Sequence, residues 1–178
     1  MARYVALLGS INVGGNRLKM AELKAALEKA GFEDVATVTA SGNVLFEHDR
    51  APDEELQQAI ETVLQDEFGI ASFAAVRSRA ELAAAIDDNP FAEDGEAKFV
   101  HTVFLEQPLD KRRFETFAAD FDGPERLAAG TREFFVDYAH GVGRSKLDPA
   151  MKKAKPVQGR ATARNIRSLR RILSKMDD

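Results

Sequence analysis

The strongest constraint on this chain is the order in which strand-like and helix-like patterns follow one another from Arg3 to Val76. Residues 3–8 form a short apolar run that Gly9-Ser10 breaks, as expected of a buried strand. After the glycine-bearing loop Ile11-Asn12-Val13-Gly14-Gly15-Asn16-Arg17, the residues Met20, Leu23, Leu27 and Ala30 recur at helical spacing. Gly31 supplies a left-handed stop. Residues 35–39 and 44–47 read as two strands joined by a Ser41-Gly42-Asn43 hairpin turn. Pro52 with Asp53, Glu54 and Glu55 opens a helix, because proline suits a first turn and acids suit its dipole. Leu56, Ile60, Leu64 and Phe68 form its apolar stripe, Gly69 ends it, and residues 70–76 read as the next strand. The order β-α-β-β-α-β is that of a ferredoxin-like split β-α-β unit, with both helices on one sheet face.

The remainder repeats much of that order. Ser78-Arg79-Ala80-Glu81 is a capping box opening a short helix, which Asn89-Pro90 ends. Residues 91–97 read as a connecting loop, dividing a ferredoxin-like N-terminal half, 1–90, from a β-α-β-β-α half, 91–178. In the second half the expected elements are a strand at 98–105, a helix at 110–120, and strands at 126–128 and 133–138. Residues 140–146 form a basic loop, and 148–153 one or two helical turns. Thr162 is placed to cap a last helix with the apolar stripe Ile166, Leu169, Leu173 and Met176. The expected class is α+β: two ferredoxin-like halves with mixed or antiparallel sheets and a C-terminal helix.

Composition narrows the chemistry. The 178 residues are 44% apolar and 30% charged, enough to bury a core. There is no cysteine, which excludes disulfides, thiol nucleophiles, thiolate zinc sites and iron–sulfur clusters together. His48, His101 and His140 are scattered without metal-ligand spacing, so no metal and no cofactor is expected. No apolar run reaches the roughly 18 residues of a membrane span, and no signal-like segment opens the sequence. The expectation is a cytoplasmic protein without membrane association, monomeric or homodimeric. Its net charge of −4 is unevenly spread: residues 144–178 carry 11 Lys/Arg against 3 acids, which leaves −12 on the rest.

Three short motifs could meet an anion. Adjacent glycines in Asn12-Val13-Gly14-Gly15-Asn16 allow a tight turn with free N–H groups, although neither G-x-G-x-x-G nor G-K-[ST] spacing is present. Ser41-Gly42-Asn43 places a hydroxyl and an amide beside a glycine turn. Thr162-Ala163-Arg164-Asn165 would aim first-turn N–H groups, a guanidinium and an amide at one negative group. Each is also an ordinary turn or cap. Ser145-Lys146 lacks the buried, low-pKa lysine that a serine–lysine dyad needs, and no acid–base pair stands out. His101, in an apolar strand, reads as a packed residue.

Taken together, Leu7-Leu8 with Ile11-Asn12-Val13-Gly14-Gly15, Ser41-Gly42-Asn43-Val44-Leu45-Phe46 and Thr162-Ala163-Arg164-Asn165 resemble the domain of unknown function 1697 family over nearly the whole chain. The resemblance implies two ferredoxin-like halves and no particular activity. This chain departs from the family pattern in three places. Gly9-Ser10 stands for an Arg-Gly pair, Val38-Thr39-Ala40 for a Tyr-x-Gln lead, and Ile166 for a tryptophan.

The expected function is binding of a small anionic ligand in a cleft between the halves, lined by Asn12, Gly14, Gly15, Ser41, Asn43, Lys146, Arg164 and Asn165. Two alternatives come from the same C-terminal segment. A ridge of Arg164, Arg167, Arg171 and Lys175 could contact nucleic-acid phosphates, or the last helix could mediate a non-catalytic homodimer.

Overall fold

A computed structural model describes residues 2–9, 17–39, 42–49 and 54–178. Two compact units are formed, Met1–Ala83 with Arg171–Asp178, and Ala84–Arg170. The loop motif at 10–16, Ser41 and the Pro52-Asp53 helix start lie outside the described residues.

The first unit contains β1 (Ala2–Leu8), α1 (Met20–Lys29), β2 (Glu33–Val38), β3 (Asn43–His48), α2 (Glu54–Phe68) and β4 (Ala74–Ser78). Its sheet has the order β2-β3-β1-β4, and every neighbouring pair is antiparallel. Strand alternation sends Tyr4, Ala6, Leu8, Val44, Phe46, Ala74 and Val76 to one face, where Leu23, Leu27, Leu56, Ile60 and Leu64 close over them. Each of those helix side chains is almost fully withdrawn from water, worth roughly 1.5–3 kcal/mol before ordering entropy is subtracted. The opposite face, with Val5, Leu7, Leu45, Ala75 and Arg77, is buried as well. Burial on both faces explains why β1 reads as a continuous apolar run rather than an alternating one. Gly31 and Gly69 end α1 and α2 at positive φ, +99° and +65°, where a side chain would be strained.

The fourth strand begins at Ala74 rather than Ile70. Ile70, Ser72 and Phe73 are buried, yet they are held from outside the ladder: the Ser72 hydroxyl donates to the Gly9 carbonyl, and the Gly9 N–H donates to Phe73 O at 2.8 Å. Apolar burial alone does not make a strand. After β4, α3 (Arg79–Asp87) opens on the expected capping box, with Glu81 N–H donating to Ser78 Oγ at 3.1 Å and Ser78 N–H to Glu81 Oε1 at 3.5 Å.

The second unit contains β5 (Val100–Leu105), α4 (Lys111–Asp120), β6 (Arg126–Ala129), β7 (Glu133–Asp137), α5 (Leu147–Ala154) and β8 (Ala161–Asn165), followed by α6 (Ile166–Met176). Its antiparallel sheet has the order β6-β7-β5-β8, the same positional order as in the first unit. One face carries Val103, Leu105, Phe134, Val136 and Tyr138 against Phe114 and Leu147. Thr102, Phe104, Phe135, Asp137, Thr162 and Arg164 are buried on the other.

Strand β8 corrects the sequence reading of the last helix. Thr162 pairs with Phe104 inside the sheet and is not the helix cap; Asn165 takes that role, its Oδ1 accepting from Ser168 N–H at 2.8 Å. Thr162 and Arg164 alternate with small, exposed Ala161 and Ala163, a strand pattern that short length and the favourable capping chemistry of threonine disguise. On α6 the buried stripe is Ile166, Leu169, Ile172 and Met176, with Leu173 half-buried beside it.

Candidate functional site

The loop between β7 and α5 gathers the groups best suited to a ligand. A cavity of about 400 Å³ opens there, with Asp122, Glu125, Tyr138, His140, Arg144 and Lys146 in its wall. The chain reaches it through Gly141 at φ +96° and a single 3-10 turn, Val142–Arg144. Ser145 fixes the end of that turn. Its hydroxyl donates to Glu125 Oε1 at 2.6 Å and accepts from Leu147 N–H at 3.0 Å, pinning the backbone between Arg144 and Lys146. Leu147 then anchors the start of α5 in the core. Glu125 is turned into this brace: its Oε2 is buried without a hydrogen-bond partner among the described residues.

Arg144 and Lys146 flank the brace and are exposed. Among the described residues neither side chain makes a hydrogen bond or ion pair. Two cations thus stand in a cavity wall without an ion-pair partner among the described residues, with Asp122 and Glu125 elsewhere in the same wall. Behind them, Tyr138 donates its hydroxyl hydrogen to Asp148 Oδ1 at 3.0 Å. Burial, then the Asp148 charge and hydrogen bond, push the phenol well above its usual range, so it stays protonated. His101 meets the Tyr138 ring edge-on at 5.0 Å and donates from Nδ1 to the Phe99 carbonyl at 3.1 Å. Burial lowers its pKa against the opposing pull of that carbonyl and of Asp148, which favours a neutral imidazole.

The other residues singled out from sequence are placed as follows. Asn12, Gly14, Gly15 and Ser41 lie outside the described residues. Asn43, in the first unit, is buried and braces the β2–β3 hairpin, its Nδ2 donating to Val38 O at 3.0 Å and Thr39 Oγ1 at 3.1 Å. Asn165 caps α6. Arg164 pairs in register with Thr102, on the sheet face opposite Tyr138 and Leu147, so the sheet stands between it and Lys146. Its guanidinium donates to Thr162 Oγ1 at 2.7 Å and Ala163 O at 2.8 Å, and burial pushes it down to about 10. It remains charged at neutral pH, within the sheet rather than on a helical ridge. On α6, Arg167, Arg171 and Lys175 remain exposed, and Lys175 lies 3.5 Å from Asp178.

A second group in this unit is architectural. Arg126 joins Asp137 at 2.7 Å and Asp94 at 2.9 Å, and its guanidinium lies 4.6 Å from the Phe91 ring centre. The hydrogen bond from Arg126 holds the Asp94 carboxyl below its usual range. All four residues are committed to one another.

The profile of a protein family of unknown function, DUF1697, matches residues 1–135. The chain belongs to the DUF1697 family. A solved structure of a conserved bacterial protein from Streptococcus pneumoniae is similar to it, with a TM-score of 0.77 and 22% identity, covering 100% of this chain and 99% of that one. That likeness establishes the two-sheet α+β fold. Comparison with curated proteins returns no match. In this DUF1697 chain the family profile ends before Arg144 and Lys146, while Asp122 and Glu125 of the same cavity wall lie within it. Sequence reasoning singled out Lys146 but not Arg144, Tyr138 or the Ser145–Glu125 brace. The Arg-Ser-Lys triplet after a glycine-bearing loop was the available signal, since a hydroxyl between two cations can pin both. No helix among the described residues is long and apolar enough to cross a membrane.

Proposed function

We propose that this DUF1697 protein binds a small anionic ligand in the Arg144–Lys146 cavity of its second unit. The carrying observation is that two exposed cations, on a backbone pinned by the Ser145 brace, have no hydrogen-bond or ion-pair partner among the described residues while lining a concave wall. A cation free of a direct ion pair is more favourable for an anion in a cavity than on a flat surface, because the walls displace water and focus the field. The acids Asp122 and Glu125 of the same wall confine the anion to the Arg144–Lys146 side. Arg144 supplies a planar fork for two anionic oxygens, and Lys146 adds a mobile point charge. The volume of about 400 Å³ suits a small molecule. No nucleophile or tuned acid–base pair accompanies the cations, so the reading is one of binding.

Calorimetric titration with inorganic phosphate at low salt tests this. Wild-type protein should show one saturable site, and Arg144→Gln or Lys146→Gln should each weaken it by about tenfold or more, as loss of a charge-assisted hydrogen bond implies. Binding that survives both substitutions overturns the reading. Loss on Arg167→Gln and Arg171→Gln instead would favour phosphate contacts by α6.

A further inference from the structure

A second cavity of about 610 Å³ lies between α4 and α5, separate from the Arg144–Lys146 wall except for Asp122 at a shared rim. Its floor is apolar: Phe117 and Phe121, stacked at 5.9 Å with their planes 25° apart, with Ala150, Ala154 and Pro156 beyond them. A cavity this large with aromatic and methyl groups in its floor suits an apolar body.

The rim is charged, and the charges are sorted. Arg113 near the start of α4 and Lys153 near the end of α5 are cations; Asp120 and Asp122, at and just past the end of α4, are acids. None of these four side chains has a hydrogen bond or ion pair among the described residues. The two cations share one end. Pro156, just past α5, lines a smaller cavity of about 100 Å³ together with Arg113, so the C-terminal end of α5 lies beside the start of α4. At 1.5 Å of rise per residue, the seven-residue separation of Arg113 and Asp120 along α4 amounts to about 10 Å.

We propose that this trough binds a short peptide of about three residues with free termini and an apolar or aromatic middle. An extended residue spans at most about 3.3–3.6 Å, so three residues carry a terminal carboxylate and a terminal ammonium about 10 Å apart. The carboxylate meets Arg113 and Lys153, the ammonium meets Asp120 and Asp122, and the central side chain lies on the phenylalanine floor. A ligand with one charge leaves half the rim unmatched.

The chain contains no tryptophan, so indole emission reports the ligand alone. Titrating the protein into Leu-Trp-Leu with free ends should give a saturable blue shift and a rise in anisotropy. The N-acetylated and the C-amidated peptides should each bind about tenfold more weakly or worse. Arg113→Gln should weaken the free and N-acetylated peptides while leaving the C-amidated one unchanged, and Asp120→Asn should do the converse. Arg144→Gln should leave all of them unaltered, which separates this site from the anion cavity. Exposed positions 113 and 120 should tolerate these changes, and far-ultraviolet dichroism checks that they do. No saturable binding, equal affinity for free and end-blocked peptides, or wild-type affinity in both variants would overturn the proposal.

Discussion

The two sheets share one strand order and are closed by different means. Over the first, α1 and α2 lay Leu23, Leu27, Leu56, Ile60 and Leu64 directly onto the strands, and all five are almost wholly buried. Over the second, α4 contributes one fully buried side chain, Phe114, and a short α5 inserted before β8 supplies Leu147. Phe99, Phe117, Phe121, Leu127 and Met151 pack around these while keeping part of their surface in water. Aliphatic side chains from two helices interlock and fill the space above the first sheet. Fewer, larger rings and an eight-residue helix leave concavities above the second. The same topology thus carries an aliphatic layer laid down by two helices in one unit and, in the other, a platform on which the Arg144–Lys146 cavity and the α4–α5 trough open.

Core truncation is the largest available test of that difference. Leu64→Ala should lower stability by about 2–5 kcal/mol, because a fully buried side chain leaves a cavity in an interlocked layer. Phe121→Ala, at a ring that keeps part of its surface in water, should cost less, about 1–2 kcal/mol, despite deleting more atoms. Urea denaturation of both variants measures the contrast, and equal losses would break it. A finer comparison concerns two asparagines. Asn43→Ala removes the donor that holds a buried hairpin and should cost about 1–3 kcal/mol. Asn165→Ala removes a cap at a half-buried helix start and should cost about 1 kcal/mol by the same assay.

Smallest of all is a pH effect confined to the second unit. Folding lowers the pKa of His101, so below the ordinary imidazole value of about 6.5 the unfolded chain takes up the proton more readily than the native one. The stability associated with neutral His101 is therefore fully present above that value and is lost as the pH falls below it. His101→Gln should flatten this part of the stability–pH curve, followed by thermal melts between neutral and mildly acidic pH. An unchanged slope would mean that the imidazole is not held neutral by its place against Tyr138.

Periodicity carried most of the fold because local pattern and tertiary burial agree there. Leu23 and Leu27, or Leu56, Ile60 and Leu64, face the core at the spacing their helices require, and Ser78-Arg79-Ala80-Glu81 caps as its residue types demand. The reading missed β8 because Thr162 and Arg164 are polar residues buried by pairing with Phe104 and Thr102, a tertiary fact that no local pattern encodes. That miss moved Arg164 from an imagined helix start into a sheet. Of the proposed anion cavity, only Lys146 is singled out by the sequence. Arg144 matters because Ser145 braces it against Glu125, which is distant in sequence and ordinary in composition. The trough between α4 and α5 depends on how two helices lie side by side, which Arg113, Phe117 and Lys153 do not disclose one by one.

The central claim, that an anion is held by the Arg144–Ser145–Lys146 turn, is most directly tested by amide chemical-shift mapping during a phosphate titration at low salt. The account predicts saturable shifts concentrated at residues 140–147 and 125, and lost in Arg144→Gln. Shifts confined to Arg167, Arg171 and Lys175 on α6, or the same saturating pattern in Arg144→Gln, would contradict it.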